Sequence, residues 1–88
     1  METMDTRQII KGFVQKNFLK ESRQNNFRDD VSFIDGGIID SVGVLELVAF
    51  LEETFGFRVE DEELVPENLD SVDKLVSYVN LKLAVTKL

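Results

Sequence analysis

The sequence predicts an all-α bundle of three main helices and one short helix, with a long loop between the first and second. Three observations predict it. Apolar residues recur at helical spacing in three separate segments. Residues suited to helix caps stand at the ends of those segments. No segment alternates apolar and polar residues as a half-buried strand would. The 88 residues make one small domain, 1–88, with ends expected to fray over about 1–4 and 84–88.

The first helix is expected from Thr6 to Leu19, where Ile9, Ile10, Phe13, Val14 and Phe18 share one face. Asp5 and Gln8 have capping-box spacing at its start. Residues 21–40, rich in Asn, Asp, Ser and Gly, read as a loop. Loops of that length in compact domains are often functional, and Phe27, Val31, Phe33 and Ile34 are expected to pin this one to the core. Asp40 caps the second helix. Val44, Leu45, Val48, Leu51 and Phe55 follow at helical spacing, with Leu47 and Phe50 widening the apolar arc. Gly56 ends the helix as a left-handed C-cap, and Phe57 folds back onto the core. A short acidic helix is expected over Glu60–Leu64, ended by Pro66, because the residue before a proline disfavours helical geometry. Asp70 or Ser71 caps the last helix, whose stripe is Val72, Leu75, Val76, Val79 and Leu83.

Composition removes whole classes of chemistry. Apolar residues at 43% and charged residues at 31% mark a globular chain and not a disordered one. Neither cysteine nor histidine is present, so disulfides, thiolate nucleophiles, zinc sites of the usual kind and Ser-His or Cys-His pairs are all excluded. No apolar run approaches the roughly 20 residues of a membrane span, and no signal peptide is visible, so the expected location is cytoplasmic.

The net charge of -7 has an uneven distribution. Acids and bases balance over residues 1–39, and the last fifteen residues carry lysines and no acid. Between residues 40 and 73 the acids are Asp40, Glu46, Glu52, Glu53, Glu60, Asp61, Glu62, Glu63, Glu67, Asp70 and Asp73, against the single base Arg58. Such a surface repels nucleic acid and anionic membrane and suits a basic protein patch. Calcium fits it poorly. Asp35 and Glu46 stand at the first and twelfth positions of a loop of EF-hand length, but Gly37, Ile39 and Asp40 occupy positions where ligands and then glycine are needed. No metal site is expected.

Ser41 is the residue with chemistry to offer. It follows Asp35-Gly36-Gly37 and sits in the first turn of a helix, where amides and dipole favour an anion. An exposed hydroxyl at the end of a long loop is also within reach of a modifying enzyme. Taken alone, Asp40-Ser41 before an apolar run reads as a cap and first-turn pair.

The surroundings change that reading. Gly37-Ile38-Ile39-Asp40-Ser41-Val42, Leu45-Glu46-Leu47-Val48 and Leu51-Glu52-Glu53-Thr54-Phe55 together resemble the acyl carrier protein family. Val59-Glu60-Asp61-Glu62-Glu63-Leu64 resembles its third-helix region, and Leu69-Asp70-Ser71-Val72 through Leu75-Val76-Ser77-Tyr78-Val79 its last helix. The resemblance covers about residues 5 to 82. It implies a right-handed four-helix carrier-protein bundle, monomeric and of the stand-alone type, that is not an enzyme. It further implies that Ser41 receives a 4'-phosphopantetheine arm from coenzyme A through a phosphopantetheinyl transferase, and that acyl groups ride on the arm as thioesters. The working sulfur would thus come with the cofactor. Implied partners are an acyl-loading ligase or transferase and downstream synthases with basic docking patches, facing residues that match Asp40, Glu46, Glu52 and Glu53.

Two positions depart from the family pattern. Val42 stands where Leu or Met is usual, beside Ser41 in the recognition set, and Gly43 stands where an acidic or polar residue is frequent. Glycine inside a helix costs about 1 kcal/mol relative to alanine, so Gly43 is read either as room for a partner or the arm, or as first-turn tolerance. These departures tilt the reading from a housekeeping fatty-acid carrier toward a specialised carrier of aminoacyl (D-alanyl or peptidyl-type) or polyketide groups. A carrier-like acidic adaptor that has lost modification is the reading from another class.

Overall fold

The computed structural model describes residues 5–18 and 28–86. It holds four α-helices, α1 (Thr6–Phe18), α2 (Ser41–Phe55), α3 (Pro66–Leu69) and α4 (Val72–Thr86), with a 3-10 turn over Asp61–Glu63. No strand occurs among the described residues. None of their helices is long and apolar enough to cross a membrane. Leu19, Phe27 and residues 1–4 and 87–88 lie outside the described residues, while 84–86 form the last turn of α4.

Helix starts obey their caps. Gln8 N–H donates to Asp5 Oδ1 at 2.9 Å, and Gly43 N–H to Asp40 Oδ1 at 2.8 Å. Gly56 closes α2 at φ 80°, with its N–H on the Glu52 carbonyl, and Phe57 is buried, as the Gly-Phe pair predicts. At α4 the cap is Ser71, whose Oγ accepts Lys74 N–H at 3.1 Å. Asp70 does something else, described below. Pro66 ends the preceding segment by holding Val65 extended, but it also opens α3, because a proline at the first helical position gives up no intrahelical bond. The acidic segment is therefore a 3-10 turn followed by a one-turn helix, where the sequence reading has one short helix.

The core joins Ile10 and Val14 of α1, Leu47 and Leu51 of α2, and Val72, Leu75, Tyr78 and Val79 of α4, closed by Phe33, Ile39, Phe57 and Leu69. Two residues expected on the core side are exposed instead. Ile34 is 53% exposed, because the turn that buries Phe33 points its neighbour outward. Leu45 is 65% exposed, since at about 100° per residue it lies nearly opposite Leu47. The buried line of α2 runs Gly43, Leu47, Leu51.

Gly43 is explained by that line. A Cβ there would stand 2.9 Å from Ile39 Cγ2 and 2.9 Å from Phe18 Cε1, so the missing side chain admits the protein's own core, not a partner or the arm. Gly12, exposed on α1, has nothing within 4 Å of its Cβ position. Alanine gains about 1 kcal/mol over glycine in a helix, whereas overpacking costs roughly 1–3 kcal/mol. Gly12→Ala should therefore raise the melting temperature by a few degrees, and Gly43→Ala should lower it, by roughly 4–8 °C per kcal/mol in a domain of this size. Calorimetry on both variants checks the opposite signs.

Two polar networks fasten the chain around α4. Arg7 bridges Asp29 and Asp73 at 2.6 and 2.7 Å, and Lys11 reaches Asp29 at 2.8 Å. These ammonium and guanidinium partners hold the Asp29 carboxyl below its ordinary range, Lys11 foremost. At the other end, Glu63 accepts from Tyr78 Oη at 2.8 Å, Lys82 Nζ at 3.0 Å and the Glu60 N–H at 3.0 Å. Lys82 also lies 5.8 Å from the Phe57 ring centre. The network ties the 3-10 turn to α4.

Burial, reinforced by the bond to the Glu63 carboxylate, pushes the Tyr78 hydroxyl far above its ordinary value of 10.0. The folded state thus holds this proton more tightly than the unfolded chain. The stability that difference contributes is complete below about pH 10 and falls as pH rises beyond it. Tyr78 is the one tyrosine of the chain and there is no tryptophan, so tyrosinate absorbance reads it alone. Ionisation should coincide with alkaline unfolding, and Tyr78→Phe should flatten the loss of stability above pH 10 by up to about 1.4 kcal/mol per pH unit.

Candidate functional site

Ser41 is the first residue of α2 and is exposed. Its presentation comes from the turn before it. Ile38 and Ile39 N–H both donate to the Phe33 carbonyl, at 2.8 and 3.2 Å, and Gly37 takes φ 71°, which a glycine adopts without strain. Ile39 is buried, so the chain is anchored one residue before the cap. Asp40 is extended, accepts the Gly43 N–H on its side chain and the Val44 N–H on its carbonyl at 3.1 Å. Asp40 is thus the cap and Ser41 is left at the surface. The favourable field of the helix start is shared: Asp40 already places a carboxylate in it.

Beyond Ser41, the outward face of α2 carries Val42, Leu45, Glu46, Ala49 and Glu53, all exposed. These positions recur at helical spacing and form one strip, apolar near Ser41 and acidic further along. Val42 is 68% exposed, a large apolar fraction for a residue beside a polar site. Of the sequence-predicted set, Asp40, Val42, Glu46 and Glu53 lie on this accessible surface. Glu52 differs. It is half-buried, and its Oε2 accepts the Val59 N–H at 2.9 Å, fastening the segment after α2. Leu45 belongs to the strip although its apolar character assigns it to the core by pattern alone. Its angular position opposite Leu47 is the signal that separates it.

A groove of about 430 Å³ is bounded by Ile34 and Asp35 of the turn, Val44 of α2, and Leu64, Val65, Pro66, Leu69 and Asp70. Val44 is three residues from Ser41 and so its neighbour on the helix. The groove is mostly apolar, with Asp35 and Asp70 its charged members. Its far wall is the segment that Glu63, Tyr78 and Lys82 tie to α4. No group of three or more acidic side chains among the described residues is placed to hold a metal ion.

The arrangement suits a covalently attached group. An exposed primary hydroxyl stands at the start of α2, beside the strip of Val42, Leu45, Glu46 and Glu53.

The family model described as "Phosphopantetheine attachment site" matches residues 18–79. A D-alanyl carrier protein of Abiotrophia defectiva is 33% identical over 55 residues, 62% of this chain and 70% of that protein. A D-alanyl carrier protein of Streptococcus suis is 28% identical over 76 residues, 86% of this chain and 92% of that protein. An acyl carrier protein of Renibacterium salmoninarum is 44% identical over 50 residues, 57% of this chain and 59% of that protein.

Proposed function

Starting from the fact that this chain belongs to the phosphopantetheine-attachment carrier family, we propose that it carries acyl groups on a 4'-phosphopantetheine arm joined to Ser41. Members of the family are carriers and not enzymes, and they bear the arm covalently. They work with a phosphopantetheinyl transferase and with ligases or synthases that load and unload them.

The observation that carries the proposal is the exposed Ser41 hydroxyl at the start of α2, next to the strip of Val42, Leu45, Glu46 and Glu53. Ser41 Oγ supplies the oxygen that attacks the pyrophosphate of coenzyme A. Its proton passes to a base on the transferase, a phosphodiester forms, and adenosine bisphosphate leaves. When bound, the arm supplies a terminal thiol able to hold an acyl group as a thioester, which a chain without cysteine cannot supply itself. Asp40 holds the helix start rigid. The apolar end of the strip offers contact area near Ser41, and Glu46 and Glu53 offer charge to a basic enzyme surface.

A specific observation favours aminoacyl cargo as a second reading: likeness to the D-alanyl carrier of Streptococcus suis extends over 92% of that protein. The modified chain should therefore be offered, with ATP, a fatty-acyl ligase and a D-alanine-adenylating ligase in parallel. A hydroxylamine-labile mass increase, absent from Ser41→Ala, is expected with one of them. Loading by the fatty-acyl enzyme alone supports the first reading and loading by the adenylating enzyme alone the second. A modified chain that neither enzyme loads sinks both readings, and a chain that accepts no arm leaves the adaptor reading.

A further inference from the structure

We infer that Asp70, at the entry to α4, is a positioning residue for modification at Ser41, acting through the turn over 32–39. The inference rests on the proposal that Ser41 is modified. Asp70 is far from Ser41 in sequence, yet three contacts make it the anchor of the turn. Its carbonyl accepts the Phe33 N–H at 2.8 Å. Its Oδ1 accepts the Ile34 N–H at 3.2 Å. Its Oδ2 accepts from the Ser32 hydroxyl, whose Oγ in turn accepts the Asp35 N–H at 3.1 Å.

The path continues without a gap. The Phe33 carbonyl accepts both Ile38 and Ile39 N–H, Phe33 and Ile39 are buried side chains, and Asp40 and Ser41 follow directly. The orientation of the helix start is therefore set by where residues 32–34 are held, and α4 holds them through Asp70. Capping alone does not need this residue, because Ser71 caps α4. A side chain committed to the turn is thus spared from the helix it precedes.

Removing the carboxylate frees the Ser32–Ile34 arm of the turn while Phe33 and Ile39 stay packed. The domain should remain folded, and Ser41 should spend less time in the orientation a transferase needs. A reacting oxygen displaced by even about 1 Å lowers a rate on the order of 100-fold at the extreme. For a surface turn held also by buried side chains, a loss of roughly 5- to 20-fold in kcat is expected, with KM little changed because the α2 strip is intact. Asp70→Asn keeps the geometry: its oxygen accepts the Ile34 N–H and its amide donates to Ser32 Oγ.

The experiment measures transfer from coenzyme A onto wild type, Asp70→Ala, Asp70→Asn, Ser32→Ala and Leu83→Ala, with amide hydrogen exchange on each. Leu83→Ala removes partly buried apolar contact at the far end of α4, so it lowers stability without touching the turn. The expected result is slow kcat for Asp70→Ala, a smaller effect for Ser32→Ala, recovery for Asp70→Asn and a wild-type kcat for Leu83→Ala at a temperature where all are folded. Exchange at Ile38, Ile39 and Gly43 should quicken in Asp70→Ala while exchange in α1 does not. Wild-type kcat and exchange in Asp70→Ala would overturn the inference, as would an asparagine variant as slow as alanine. If Asp70→Ala does not fold, Ser32→Ala carries the same comparison, and a wild-type kcat and exchange there overturn it. If wild type itself accepts no arm, the Ser41 proposal fails, and the exchange pattern still decides whether Asp70 governs the turn.

Discussion

Ser41→Ala should abolish attachment of the arm and leave the fold essentially intact. The chemical half is absolute: alanine has no oxygen from which to form a phosphodiester. The structural half follows from the division of labour at the helix start. The cap is Asp40, which accepts the Gly43 N–H at 2.8 Å, and its substitution by alanine would cost about 0.5–2 kcal/mol. Ser41 stands on the first helical position with its side chain exposed, where alanine is a good helix former. A stability change within about 0.5 kcal/mol is expected. Circular dichroism melts beside intact-mass measurements check both halves. A variant that unfolds would show that Ser41 serves the helix and not a cofactor.

Glu46→Lys should also have a large effect, lowering kcat/KM for arm transfer by roughly 10-fold at low salt, equivalent to about 1.4 kcal/mol. Glu46 lies on the exposed strip that starts beside Ser41, about 7.5 Å along the helix from it. Exposed charges of this kind mainly govern encounter rate and orientation. The loss should therefore appear in KM, and it should shrink as salt shortens the Debye length below about 10 Å. Glu62→Lys makes the same charge change on the 3-10 turn and should have a much smaller effect. Equal losses in both variants would mean that net charge and not the strip attracts the transferase. No loss in either would make Glu46 an ordinary solvated side chain.

How far the sequence reaches is clearest at α2. Local signals set its limits: Asp40 in a cap position and Gly56 where a left-handed residue is required. Neither depends on distant parts of the chain. The same holds for the stripe of α4, where Val72, Leu75 and Val79 are all buried. Most of what escaped the pattern is long-range, and Leu45 is the local exception. Leu45 joins an apolar arc if hydrophobicity alone is counted, and only the angle to Leu47 turns it outward. Gly43 has no readable cause until Phe18 and Ile39 are brought against it. Asp70 reads as one of two possible caps. Its bonds to Ser32 and Ile34 span 38 and 36 residues and exist only when the turn lies on α4. The acidic stretch likewise looks uncompensated in sequence, but folding sets Asp73 against Arg7 and Glu63 against Lys82.

Site localisation tests the central claim most directly. Trypsin cuts after Arg28 and Arg58 and leaves both Ser32 and Ser41 in one peptide. Ser32 lies in the same turn and its hydroxyl is already committed to Asp70, which makes it a demanding internal control. Wild-type protein incubated with coenzyme A and a broad-specificity phosphopantetheinyl transferase should gain a single arm, and fragmentation of that peptide should place the whole added mass on Ser41. Attachment at Ser32 or any other residue, or no attachment with several transferases, would contradict the account.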